Sequence, residues 1–151
     1  MGIFHSINTS ASGLTAQRLR MDVISSNIAN AETTRATLNE NGEWEPYRRK
    51  TVAFQASGQS FNSVFQKALN QSSTPGSGVK VSQIREDEEP FKLVYNPNHP
   101  DANEDGYVQM PNVDPLQEMV DLMSATRSYE ANVTTMNASK DMLLKALEIG
   151  K

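Results

Sequence analysis

The sequence contains no cysteine, so disulfides, thiolate nucleophiles and zinc–thiolate centres are all excluded. It also lacks any excess of basic residues. Fourteen Lys and Arg stand against 18 Asp and Glu, for a formal net charge of −4, and the longest basic run is Arg48-Arg49-Lys50. General nucleic-acid binding needs clustered cations to displace phosphate counterions, so that role is disfavoured. No stretch reaches 18 apolar residues, and no membrane span is expected. The first twenty residues lack a basic start followed by an apolar run, because Ser6, Asn8, Thr9, Ser10 and Ser12 interrupt it; a cleaved secretory signal is not expected. Hydrophobic residues make up only 37% of the 151 and the mean hydropathy is −0.55. A chain of that length with so few apolar side chains builds a thin core, which favours extended or assembled structures.

The raw material for catalysis is equally sparse. An enzyme site needs a nucleophile, a base and an orienting group converging in a pocket. Here there are two histidines, His5 near a helix start and His99 in a proline-rich turn, and no glycine-rich phosphate loop. The acidic run Glu86-Asp87-Glu88-Glu89 precedes Pro90 and reads as a solvated loop. Asp101-Ala102-Asn103-Glu104-Asp105-Gly106 fits the first half of a calcium-binding loop, yet the twelfth position, which must supply a bidentate glutamate, is Asn112. His99-Pro100-Asp101 matches a chaperone-engaging tripeptide but lacks the helices that must flank it. The N-terminal Met1-Gly2 pattern for myristoylation reads as an ordinary helix start. The sequons at Asn8, Asn70, Asn132 and Asn137 fall mostly inside expected helices, where glycosylation is not expected. No cofactor, metal or small-molecule substrate is expected.

What is present is periodicity at both ends. Over residues 3 to 31, Ile7, Leu14, Met21 and Ile28 recur at heptad spacing, with Ile3, Ser10, Gln17, Ile24 and Ala31 at the partner position. This predicts a long helix ending near Asn27 to Ala31. At the other end, Asp114-Pro115-Leu116-Gln117 offers a capping carboxylate, proline at the first helical position and a capping-box Gln. From there Met119, Leu122, Thr126, Tyr129, Val133, Met136, Lys140, Leu143 and Leu147 follow the alternating spacing of three and four, and Gly150 marks the stop. About 35 residues give a rod of roughly 50 Å. A rod with a single stripe needs a partner helix, and the methionines along it suit contacts with neighbours as well as core.

Between the ends, residues 47 to 54, 79 to 84, 91 to 95 and 106 to 110 are short, β-branched or aromatic runs separated by turn formers and predict strands. Residues 61 to 70 carry a helical apolar face, and 71 to 78 read as a flexible loop. The expected fold is mostly α with a small β-rich module: residues 1–34 and 112–151 form a discontinuous domain of paired, antiparallel-type coiled-coil helices, and 35–111 form the middle module, flexible over about 55 to 80.

The stretch Ser12 to Thr34 resembles the opening helix of the bacterial flagellar axial and rod proteins, and residues 106 to 151 resemble the C-terminal ending of the proximal rod members of that family. Residues 46 to 50 and 86 to 108 show the same likeness, whereas 55 to 80 match no recognisable pattern. The resemblance implies a structural subunit of the basal-body rod that carries torque across the periplasm. It implies assembly with copies of itself and other rod subunits into a helical tube around the export channel. It also implies passage through the flagellar type III export apparatus without a cleaved signal. The stripes Ile7, Leu14, Met21, Ile24, Ile28, Met119, Leu122, Tyr129, Val133, Met136, Leu143 and Leu147 are then the expected assembly elements, with Asp114 and Gln117 as the helix cap. Open helical polymers need heterologous interfaces, and acidic 86–89 against basic 48–50 is a candidate complementary pair between subunits. The competing readings are another flagellar axial subunit, a free coiled-coil adaptor, and a small enzyme or calcium module on the 96–106 loop.

Overall fold

A computed structural model describes residues 3–40, 42–57, 65 and 78–149. The elements run α1 (Ile3–Ala29), β1 (Thr37–Leu38), β2 (Trp44–Glu45), β3 (Lys50–Ala56), β4 (Val79–Glu86), β5 (Lys92–Tyr95), β6 (Tyr107–Met110) and α2 (Pro115–Ile149). Long N- and C-terminal helices thus enclose, in chain order, three two-stranded sheets: β1 with β2, β3 with β4, and β5 with β6. The strand runs expected at 47 to 54, 79 to 84, 91 to 95 and 106 to 110 are β3 to β6 with ends shifted by a few residues. The β1–β2 ribbon was not expected, because two residues per strand are too few to show alternation. The helical face at 61 to 70 and the loop at 71 to 78 lie, apart from Phe65 and Gly78, outside the described residues.

Local chemistry explains the ends of these elements. Asn30 N donates to Ser26 O at 3.1 Å, closing the last turn of α1. Asp114 caps α2: its Oδ1 accepts the Leu116 amide at 3.0 Å while its carbonyl accepts the Glu118 amide at 3.0 Å. Gln117 is exposed in the first turn. Asp114→Ala should cost about 1 kcal/mol, the usual loss when a side-chain cap is removed; a denaturant midpoint unchanged from the parent would show the cap to be dispensable. The β5–β6 hairpin pairs Lys92 with Met110 through Tyr95 with Tyr107, and the Tyr95 and Tyr107 rings meet edge to face at 5.3 Å. Gly106, at φ 80°, makes the turn into β6. In the loop before it, Asn103 Oδ1 accepts the amides of Asp105 at 3.1 Å and Tyr107 at 2.8 Å. An oxygen that a calcium loop would offer to the ion is thus spent on the chain's own backbone. Likewise the carboxylate of Asp101 is held by Arg35 and Thr34.

The chain divides into two compact units. One comprises 1–19, 53–83 and 125–151. Among the described residues its buried side chains are small: Ala16, Ala125 at 0% exposure, Ser10 and Ser139. The Ser6 and Ser139 hydroxyls meet at 3.3 Å. Gly13 lies so close to Asn132 that a Cβ there would stand 3.1 Å from its amide. Glycine inside a helix costs about 1 kcal/mol relative to alanine, and this close approach is what it makes room for. Ser12 Oγ accepts the Val79 amide at 3.0 Å, tying the start of β4 to α1. The other unit comprises 20–52 and 84–124, with Val23, Ile24, Tyr47, Val108, Pro111 and Val113 buried.

Burial within the chain divides the expected stripe on α2. Leu122, Tyr129, Met136 and Leu143 are half-buried, as is Val133, but Met119, Thr126, Lys140 and Leu147 are exposed. The alternate seam positions lie one residue earlier for three of these, at Glu118, Ala125 and Ser139, all buried. Periodicity weighted by side-chain size follows the large apolar residues, whereas close helix contacts take short side chains. On α1, Ile7, Leu14, Met21 and Ile28 are half-buried and Ser10 and Ile24 buried, joined by Gly13, Ala16, Val23 and Asn27, which the heptad reading passed over.

Candidate assembly site

Two features of the 20–52/84–124 unit stand out. The first is a buried polar node. Asn27, 1% exposed, uses its whole amide: Nδ2 donates to Glu118 Oε2 at 3.0 Å and Lys50 O at 2.8 Å, and Oδ1 accepts from Tyr47 Oη at 3.0 Å and Lys50 N at 2.9 Å. Glu118 is also 1% exposed and receives Arg49 Nε at 2.6 Å on its other oxygen. Arg49 reaches further, to Asp87 at 3.2 Å and Asp121 at 3.6 Å, and Arg20 completes Asp121 at 2.9 Å. Asn112, also buried, accepts the Arg49 amide at 2.8 Å and donates to Glu89 O at 3.1 Å. Burial lowers the proton affinity of the Arg49 guanidinium, but the hydrogen bonds and charges of Glu118 and then Asp87 outweigh it and hold its pKa above the ordinary arginine value. A buried carboxylate with a bidentate-capable guanidinium and an amide partner meets the condition under which ionic groups are tolerated in a core.

The node draws on both charged runs. Basic 48–50 and acidic 86–89 meet within one chain through Arg49 and Asp87, while Arg48 stacks on the Phe91 ring at 4.4 Å and Lys50 lies over Tyr47 at 5.6 Å. By sequence Asn27 is named only at the expected end of the first helix, and Glu118 is not singled out. Asn27 sits between the seam residues Ile24 and Ile28, and Glu118 lies in the first turn of α2, where a carboxylate complements the helix dipole; position, not residue type, was the available signal.

The second feature is a row of exposed apolar side chains on α2. Leu116 is 70% and Met123 61% exposed, and Met119 and Val120 lie between them about half open. The spacing i, i+3, i+4, i+7 puts all four on one face. In the other unit the far end of α2 exposes Met142, Leu147 and Ile149. Contiguous exposed apolar surface on a helix marks an interaction site. Among the described residues no helix is long and apolar enough to cross a membrane, and no three His, Asp or Glu side chains are grouped to hold a metal ion.

Comparison with known proteins agrees with this arrangement. Residues 7–37 match the family described as flagella basal body rod protein, and residues 104–149 match the C-terminal region of the flagellar basal body rod FlgEFG proteins. The chain is 65% identical, over its whole length and that of the relative, to the flagellar basal-body rod protein FlgC of Bacillus subtilis. It belongs to the FlgC family of flagellar basal-body rod proteins. Other FlgC proteins extend the likeness. That of Borreliella burgdorferi is 45% identical over 99% of this chain and 98% of the relative, and that of Salmonella typhimurium 39% over the full length of both. The FlgC family is structural and non-enzymatic, so the apolar rows on α2 are read for assembly, not chemistry.

Proposed function

We propose that this chain is a structural subunit of the flagellar basal-body rod, joining other rod subunits through its helices. The observation that carries this reading is the apolar row Leu116, Met119, Val120 and Met123, which stays open to solvent in the isolated chain; a subunit whose helix presents such a face is incomplete without neighbours. The relatives, matched end to end, are named as basal-body rod proteins.

In this reading α1 and α2 pair as an antiparallel-type coiled coil. In the 1–19/125–151 unit, Ser6 faces Ser139 and Gly13 faces Asn132, so a step of one heptad forward on α1 is matched by one heptad back on α2. Residues 1–34 and 112–151 then form the inner assembly domain, with the stripe residues on both helices as its contacts, and 35–111 the outer module. The rod crosses the periplasm around the export channel and transmits torque. The subunit reaches it through the type III export apparatus without a cleaved signal. Deleting the coding sequence should leave cells non-motile and their detergent-extracted basal bodies without rods, with both defects reversed by the intact chain. Complete rods in the deletion strain would refute the assignment.

A further inference from the structure

The 20–52/84–124 unit holds an open cleft of about 550 Å³. Its floor and walls include Trp44, Pro46, Leu93 and Tyr107, of which Trp44, Leu93 and Tyr107 are exposed large side chains with no role in the core. Its lining is anionic: it carries the carboxylates Glu43, Glu45 and Asp101 against one cationic side chain, Arg35. That guanidinium is already spent on Asp101, which it grips through Nε at 2.7 Å and through Nη2. The pairing lowers the Asp101 carboxyl pKa, chiefly through the Arg35 hydrogen bond and then that of Thr34. The surplus on the lining is therefore Glu43 and Glu45, which flank Trp44.

We propose that this cleft receives an extended basic segment of a partner protein, with an Arg or Lys side chain seated on the Trp44 ring within reach of the lining carboxylates. An indole face is the best aromatic partner for a cation, and adjacent carboxylates strengthen the attraction. Leu93 and Pro46 offer apolar surface to the side chains on either side of that cation. The volume lies within the range of ligand clefts and suits a few residues of extended chain rather than a folded face. Other occupants fit worse. The carboxylates would repel phosphates, nucleic acid or an anionic lipid surface. They are also too dispersed for a metal ion, since among the described residues no three acidic or histidine side chains converge. The inference concerns a surface separate from the α2 apolar row and is tested on the isolated chain, so it stands or falls independently of the rod assignment.

The sequence has one tryptophan, so its emission reports on this cleft directly. The full chain is titrated with the peptide Ac-Gly-Val-Arg-Val-Lys-Gly-NH2, with its Glu-for-Arg and Glu-for-Lys counterpart, and with triacetylchitotriose. The basic peptide should change the Trp44 emission saturably, and raising salt from 0.05 to 0.5 M should weaken binding by about tenfold, as expected for screened charge complementarity. Glu43→Gln with Glu45→Gln, isosteric and close to solvent, should weaken it by a similar factor with an unchanged circular dichroism spectrum. If that variant loses its fold, the salt series and the acidic peptide decide by themselves. No saturable change with the basic peptide, equal binding of the acidic one, salt-independent binding, or saturation by the sugar alone would each overturn the proposal.

Discussion

Leu116→Glu combined with Met123→Glu is expected to leave a chain that folds as before and cells that do not swim. Both side chains are more than half exposed, so placing carboxylates there alters the isolated subunit by no more than about 0.5 kcal/mol each, as for ordinary surface positions. In a subunit contact the same two charges would be buried without partners, a penalty of several kcal/mol. The expected results are an unchanged thermal transition of the purified protein and a complete loss of rods from extracted basal bodies. Arg127→Ala, which removes only an exposed ion pair with Glu130, should be silent in both assays. Normal motility of the double Glu variant would show that this helix face is not an assembly surface.

The second large effect is expected at the node. Arg49→Met removes the charge that pairs with Glu118, leaving a carboxylate that is 1% exposed with only the Asn27 amide as its partner. Breaking one half of a buried ion pair typically costs about 3–5 kcal/mol, which is a large part of the total stability of a small domain. Arg49→Lys keeps the charge but loses the fork that reaches Glu118 and Asp87 at once, and should fall between the two. Combining Arg49→Met with Glu118→Met removes the fully buried carboxylate together with its partner and should recover most of the loss, because the carboxylate still deprived of Arg49, Asp87, is 22% exposed and reaches water. The check is the denaturant midpoint followed by Trp44 fluorescence, the reporter lying in the same unit. A deficit under about 1 kcal/mol for Arg49→Met would mean that water enters the node and that it does not hold the unit together.

Much of this fold is legible because its signals are local. Asp114, Pro115 and the 3.6-residue period locate α2 without any tertiary information, and the β-branched runs locate β3 to β6. What escapes is what depends on another part of the chain. That Glu118 faces inward is decided by Arg49 and Asn27, distant in sequence, and a carboxylate in a first turn is ordinarily solvated. The one-residue offset at three positions of the α2 stripe has the same origin. Thr126 and Lys140 continue the numerical spacing, but Ala125 and Ser139 are short enough to face a neighbouring helix at close range, and size-weighted periodicity cannot see that advantage. The family likeness was legible largely because most of the residues that carry it lie in the two helices, and both family matches take in a helix, at 7–37 and 104–149.

The small side chains of the 1–19/125–151 unit have a mechanical consequence. Gly13 against Asn132, with Ala16, Ala125, Ser10 and Ser139 buried alongside, gives a stem whose buried side chains, among the described residues, are all small. Bending resistance rises steeply with thickness, so such a stem is compliant by itself. Stiffness has to come from many stems bonded side by side, where shear between neighbours resists twisting far more than any one stem can. In a rod, a chain built this way would draw its stiffness from its neighbours.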